Sequence, residues 1–114
     1  MDSILTSIKK LLGPEEDYEH FDVDIIIHIN TAFAILTQLG VGPAEGFKIQ
    51  DSTAIWEDFI PENSKEFESV KTYIYLKVKL VFDPPSNSTV IQSMENTIKE
   101  LEWRLNATAE SKSL

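Results

Sequence analysis

Apolar positions along this chain recur at helical spacing almost throughout. Ile4, Leu5, Ile8, Leu11 and Leu12 fall three and four residues apart, which puts them on one face of a first helix. Asp2 can cap its start and Gly13-Pro14 ends it, the proline because it lacks an N–H and clashes with the preceding turn. A longer pattern begins at Asp22, again a suitable cap, and runs to about Leu39. Gly40 then supplies a left-handed closing residue, with Gly42-Pro43 just beyond. Two more patterns lie back to back, Phe67–Phe82 and Val90–Leu105, on either side of Asp83-Pro84-Pro85. Adjacent prolines cannot continue a helix, so the pair predicts a turn and a helical hairpin. Asn63 with Glu66 resembles a capping box for the third helix, and Ser86 or Ser88 can cap the fourth.

Residues 44–63 lack clear periodicity. Phe47 and Ile49 alternate with polar neighbours, which hints at a short extended piece, while Ile55, Trp56, Phe59 and Ile60 predict one helical turn tucked onto the core. The ending ATAESKSL is small and polar, and is expected to be a flexible tail. The prediction is therefore one all-α domain over residues 1–106, a small bundle of about four main helices with a C-terminal hairpin, followed by a tail at 107–114.

The helices carry more apolar surface than a small bundle needs. At about 100° per residue, Ile25, Ile26, Ile29, Ala32, Phe33, Leu36 and Leu39 make one wide face of the second helix, and Val23, Ile27 and Ala34 a narrower one on the other side. The third helix carries the stripe Phe67, Val70, Ile74, Val78 and Val81, and a second stripe of Tyr73, Leu76 and Leu80. The fourth has one strict stripe, Ile91, Met94, Ile98, Leu101 and Leu105, the heptad-like seam that faces a single partner. Either the second and third helices are central in the bundle, or their extra faces meet other subunits. Pattern alone leaves both open. The second branch makes Val23, Ile27, Ala34, Tyr73, Leu76 and Leu80 a candidate subunit interface.

Composition narrows the classes. A chain of 114 residues with 42% hydrophobic content supports one modest core. The absence of cysteine excludes a disulfide framework and thiol chemistry. The start has no signal-peptide pattern, because its apolar residues are periodic and not continuous. Ile25–Leu39 is too short and too interrupted by polar residues to span a bilayer. Asn87-Ser88-Thr89 and Asn106-Ala107-Thr108 match the glycosylation pattern, which is read as chance without a secretion signal.

Net charge is −9, and residues 1–63 hold twelve acids against three bases, whereas 64–114 hold seven of each. The densest acidic stretch is Glu15, Glu16, Asp17, Glu19, Asp22 and Asp24. Such a surface repels phosphate and argues against tight nucleic-acid binding; its simplest role is a solvated loop with favourable charge at a helix N-terminus. Lys65, Lys71, Lys77 and Lys79 give the third helix a mildly basic character. They read first as snorkelling lysines and second as an electrostatic seam against a neighbour's acidic face. Trp103 lies off the heptad stripe: packing on Ile55–Phe59 is its commoner use, and anchoring an interface the other.

No catalytic constellation emerges. His20 and His28 are eight residues apart, not the one-turn spacing that presents two metal ligands from one helix. Glu19-His20 with Asp17 makes a weak metal signal without further His or Cys, and His28 at the edge of an apolar face reads as structural. There is no glycine-rich phosphate loop, nucleophile elbow or nucleophilic cysteine. No catalytic, cofactor or metal residue is assigned, and the chain is not expected to be an enzyme.

Three segments carry a resemblance. DIIIHINTAFAILTQLGVGP (Asp24–Pro43), VKTYIYLKVKLVFDPP (Val70–Pro85) and ELEWRLN (Glu100–Asn106) resemble the small head–tail connector proteins of tailed bacteriophages, also called head-completion or DNA-packaging proteins of the neck. The likeness covers roughly Ile4–Asn106 and matches no portal-binding motif. It implies a structural virion protein forming a homo-oligomeric ring, twelve-fold in the virion, beneath the portal protein. Such a ring extends the DNA channel without sequence-specific DNA binding and is a platform for the next neck or tail protein. The implied location is the virion neck, with assembly in the host cytoplasm and no membrane association. A closed head-to-tail ring needs two different lateral surfaces on each subunit, which gives the double-faced helices a reason. The alternative is a small acidic helical regulatory protein that binds a host or phage protein through its acidic N-terminal half.

Overall fold

The computed structural model describes residues 3–13 and 19–112. Four helices account for most of this span: α1 (Ile4–Leu12), α2 (Asp22–Gln38), α3 (Phe67–Phe82) and α4 (Ser88–Lys112), with a single 3-10 turn at Trp56–Asp58. No strand occurs among the described residues. The all-α prediction is met, with the α3–α4 hairpin turning at Asp83-Pro84-Pro85.

Helix ends follow local chemistry, though not always through the expected residue. Ser3 caps α1, its hydroxyl oxygen accepting from the Thr6 N–H at 3.0 Å, and Gly13 closes it at φ 100°. Asp2, the expected cap, lies outside the described residues, as do Pro14 and Glu15, Glu16 and Asp17 of the acidic stretch. Asp22 is the first residue of α2 instead of its cap, and its carboxylate pairs with Lys9 at 2.8 Å. That pair brings the nearly buried Lys9 of α1 to the start of α2, where a carboxylate also complements the helix dipole. Gly40 behaves as predicted. At φ 89° it lets Val41 N–H reach Leu36 O (2.9 Å) and Gly40 N–H reach Thr37 O (3.0 Å), the paired bonds of a Schellman closure.

Two caps differ from expectation. The Asn63–Glu66 box does not form: α3 starts after Glu66 with no side-chain cap, and the Glu66 carboxylate accepts from Lys112 instead. That bond holds the Glu66 carboxyl below its ordinary range. Neither serine caps α4. Asn87 does so, its Oδ1 accepting from Thr89 N–H (2.8 Å) and Val90 N–H (3.2 Å), which satisfies two orphan N–H groups of the first turn. The tail boundary at 107 also shifts, because α4 continues to Lys112. Asn106 donates to Leu39 O at 3.2 Å, and Ala109 packs beside Gly40, where an added Cβ would lie 3.0 Å away. Tertiary contacts with the α2 cap and Glu66 sustain a helix end that composition reads as coil.

Helix α3 is the centre of the molecule, packing against α1, α2 and α4. Its Val70, Tyr73, Ile74 and Val78 are fully buried, together with Ile29, Ala32, Phe33 and Leu36 of α2 and Ile4 and Ile8 of α1. Phe33, Phe47 and Phe59 form an aromatic triangle, with centroid separations of 4.9, 4.6 and 5.3 Å, that ties the irregular segment to α2.

The irregular segment is held by specific bonds. No extended strand forms at Phe47–Ile49. Asn30 of α2 takes the part of a strand partner, donating to Ile49 O at 2.9 Å and accepting from Ile49 N–H at 2.7 Å. Trp56, Phe59 and Ile60 are buried around the predicted single turn, and Trp56 Nε1–H donates to Ser7 Oγ at 3.1 Å. Ile4 N–H donates to Ala54 O at 2.9 Å, so this segment also closes over the start of α1. Asn30→Leu should cost about 1–3 kcal/mol, because it strands both polar groups of Ile49. A urea melt checks it; an unchanged midpoint would show that the bracket contributes nothing.

Candidate functional site

The outer side of α2 is the most exposed apolar surface on the helix. Val23 is 71% and Ile27 55% exposed, and Ala34 is exposed as well. All three lie across the helix axis from Ile29, Phe33 and Leu36, which have no exposure at all. Thr31 lies between Ile27 and Ala34 and turns its hydroxyl back onto Ile27 O at 3.0 Å. The side therefore presents carbon to solvent along three turns. Leaving Val and Ile in water forgoes about 1.5–3 kcal/mol per side chain relative to burial, which makes the stripe a candidate for coverage by another surface.

The second stripe of α3 has a different fate. Tyr73 is fully buried, and its hydroxyl donates to Glu102 of α4 at 2.7 Å. Burial first, and the Glu102 carboxylate second, push the phenol well above its ordinary pKa. Leu76 and Leu80 are partly buried against the core, and Leu80 joins Ile98, Lys77 and Lys99 in a shallow groove of about 370 Å³ between α3 and α4. Tyr73 is thus a core residue that cannot present its ring to a neighbour, and the hairpin partner takes up most of the stripe. The choice between a central helix and an extra contact face resolves towards the first for α3. Val81, on the stripe assigned to the core, is 61% exposed near the proline turn.

Trp103 is the largest departure from expectation. It is 73% exposed and does not pack on Ile55–Phe59. Its helical phase places it across α4 from Ile98 and Leu105, the two buried members of the heptad stripe. The phase could have located it; residue type misled. Beside it, Arg104 and Glu100 pair at 2.9 Å, both well exposed.

The molecule consequently has two unlike outer sides. Helices α2 and α4 both pack on α3, and they approach each other at the α2 cap through Asn106 and Ala109. Away from that point α2 and α4 make few direct contacts, and each leaves its own apolar group exposed, the Val23–Ile27–Ala34 stripe on α2 and Trp103 on α4. A further exposed apolar group sits at the α2 start, where Phe21 (40% exposed) stacks edge-on to Phe82 at 5.5 Å and to His20 at 4.8 Å.

Among the described residues no group of three His, Cys, Asp or Glu side chains could hold a metal, and His20 and His28 are not brought together. No helix of the described residues is long and apolar enough to cross a membrane. Lys71 lies over the Phe67 ring at 5.9 Å and Lys79 pairs with Asp83 at 2.9 Å, so two of the four lysines on or beside α3 serve the chain's own surface.

A protein-family model described as phage connector protein matches residues 4–112. No curated protein and no solved structure matches the chain.

Proposed function

Because the chain belongs to the phage connector protein family, we propose that it assembles as a ring at the head–tail junction, beneath the portal protein. The ring would match the twelve-fold symmetry of the portal, extend the DNA channel and serve as the platform for the next neck or tail protein. The observation that carries this reading is the pair of unlike outer sides. A closed head-to-tail ring requires each subunit to offer two complementary surfaces, and α2 and α4 each leave one apolar group exposed. Val23, Ile27 and Ala34 belong to this contact; Leu76 and Leu80 border it where they are not covered by α4, and Tyr73 supports it from inside. The charge of −9 suits a channel wall that must let DNA slide, since carboxylates disfavour phosphate contacts.

The test is to mix the purified protein with portal-bearing heads, separate the heads by sedimentation and image the vertex by electron microscopy. Stoichiometric retention with a new ring below the portal is the expected result. A chain that stays monomeric and unbound in this mixture, at concentrations well above micromolar, refutes the reading.

A further inference from the structure

A hollow of about 450 Å³ opens beside the α2 stripe, lined by Ala34, Gly46, Phe47, Glu45 and Lys48, with Asn30 and Thr37 at its back. Its polar back wall is already satisfied. Asn30 spends both ends of its amide on Ile49, and the Thr37 hydroxyl donates to Phe33 O at 3.0 Å. What remains towards solvent is mostly carbon, chiefly the Ala34 methyl and the Phe47 ring. That ring is held in place by the triangle with Phe33 and Phe59, so the wall is rigid. Glu45 and Lys48 stand exposed at the margin, and no ion pair within the described residues engages either.

The outer face of α4 carries a group of the right kind to fill that hollow. Trp103 projects from α4 with 73% of its surface exposed, flanked by Arg104 and Glu100. An exposed tryptophan bordered by charges is the form that an interface anchor takes: a large rigid apolar surface seated in a hollow, ringed by polar pairs. Margin charges match too, one acid and one base on each side, so Arg104 can meet Glu45 and Glu100 can meet Lys48. The chain's own Trp103 does not line its own hollow.

We propose that Trp103 of one copy seats in the Ala34–Phe47 hollow of the next, as the anchor of the head-to-tail contact. The occupant is a second copy of this chain, and the assignment rests on the ring reading given above. It joins the two unlike sides into one heterologous contact, in which the Val23–Ile27 stripe is continuous with the hollow through Ala34.

Two variants test it. Trp103→Ala removes the anchor and keeps the hollow; Ala34→Arg blocks the hollow and keeps the anchor. Both positions are solvent-exposed, and an unchanged thermal midpoint verifies the fold. In sedimentation velocity, each variant alone should self-associate at least about tenfold more weakly than the unsubstituted protein. Mixed together they should form a discrete one-to-one dimer, since only one productive contact remains. Acrylamide quenching gives an independent reading: Trp56 is 3% exposed and contributes little, so assembly should protect the one accessible indole. Trp103→Ala assembling like the unsubstituted protein, or an equimolar mixture that stays monomeric, would overturn the assignment while leaving the ring intact. Rings of Trp103→Ala that form normally yet fail to join portal-bearing heads would assign the anchor to a different neck protein, and would equally overturn it. An unsubstituted protein that associates neither with itself nor with heads would refute the ring reading, and this inference with it.

Discussion

Replacing Val23 and Ile27 together with arginine should abolish assembly on portal-bearing heads and leave the monomer folded. Both side chains are more than half exposed in the single subunit, at 71% and 55%, so the fold loses little when they change. In the proposed ring the same two positions would place guanidinium groups against a neighbour's surface without prepared partners, and burying an unpaired charge costs several kcal/mol. Every contact in a homo-oligomeric ring carries the substitution, so the penalty recurs at each seam. Association should weaken by at least about a hundredfold, a cost of about 2.7 kcal/mol per contact. Sedimentation velocity reads the assembly and far-UV circular dichroism reads the helices. Normal assembly of the double variant would remove the α2 stripe from the interface.

The second large effect concerns the fold. Gly42→Val should destabilise the protein by about 3 kcal/mol or more, from two causes that act together. Gly42 adopts φ 84°, a region where a β-branched residue is strained by about 1–3 kcal/mol. A Cβ there would also fall 2.3 Å from Phe59 Cε1, on a ring locked in the aromatic triangle, and overpacking adds about 1–3 kcal/mol more. Gly13, which also has positive φ but has open space around it, provides the control. Its alanine variant should lose only the conformational part, about 1 kcal/mol. Chemical denaturation compares them, and equal losses at the two sites would mean that the Phe59 contact yields without cost. If the hollow beside Phe47 anchors the neighbouring subunit, Gly42→Val should also weaken assembly, through the displaced triangle.

Some of this architecture was readable from residue order and some was not. The bounds of α3 fell at Phe67 and Phe82 as read, because proline and hydrophobic period are local signals. The wide and narrow faces of α2 also separated as read, with Ile29, Phe33 and Leu36 inside and Val23, Ile27 and Ala34 outside. Caps were less legible. Asn63, Ser86 and Ser88 all have suitable side chains, yet Asn87 caps α4 and α3 has no side-chain cap, because which side chain meets an orphan N–H depends on chain direction at the helix start. The end of α4 was misread for a related reason. Residues 107–112 are small and polar with no apolar stripe to mark a helix, and contacts with the α2 cap and Glu66, distant in sequence, help to hold them.

Within the candidate site the division is sharper. Periodicity by itself determined that α2 carries a second apolar side, since the angular positions of Val23, Ile27 and Ala34 follow from helix geometry alone. It also established the all-α class, the hairpin and the unequal charge of the two halves. Tertiary structure decided which surplus face stays exposed. Two helices with similar double stripes met opposite outcomes because α3 lies between three neighbours and spends its second stripe on α4, with Tyr73 bonded to Glu102, whereas the neighbours of α2 leave Val23 and Ile27 uncovered. The same packing left Trp103 outside and opened the hollow at Ala34 and Phe47. Burial is a property of how elements are arranged around one another, and one helix's periodicity records how much apolar surface it carries without recording what will cover it.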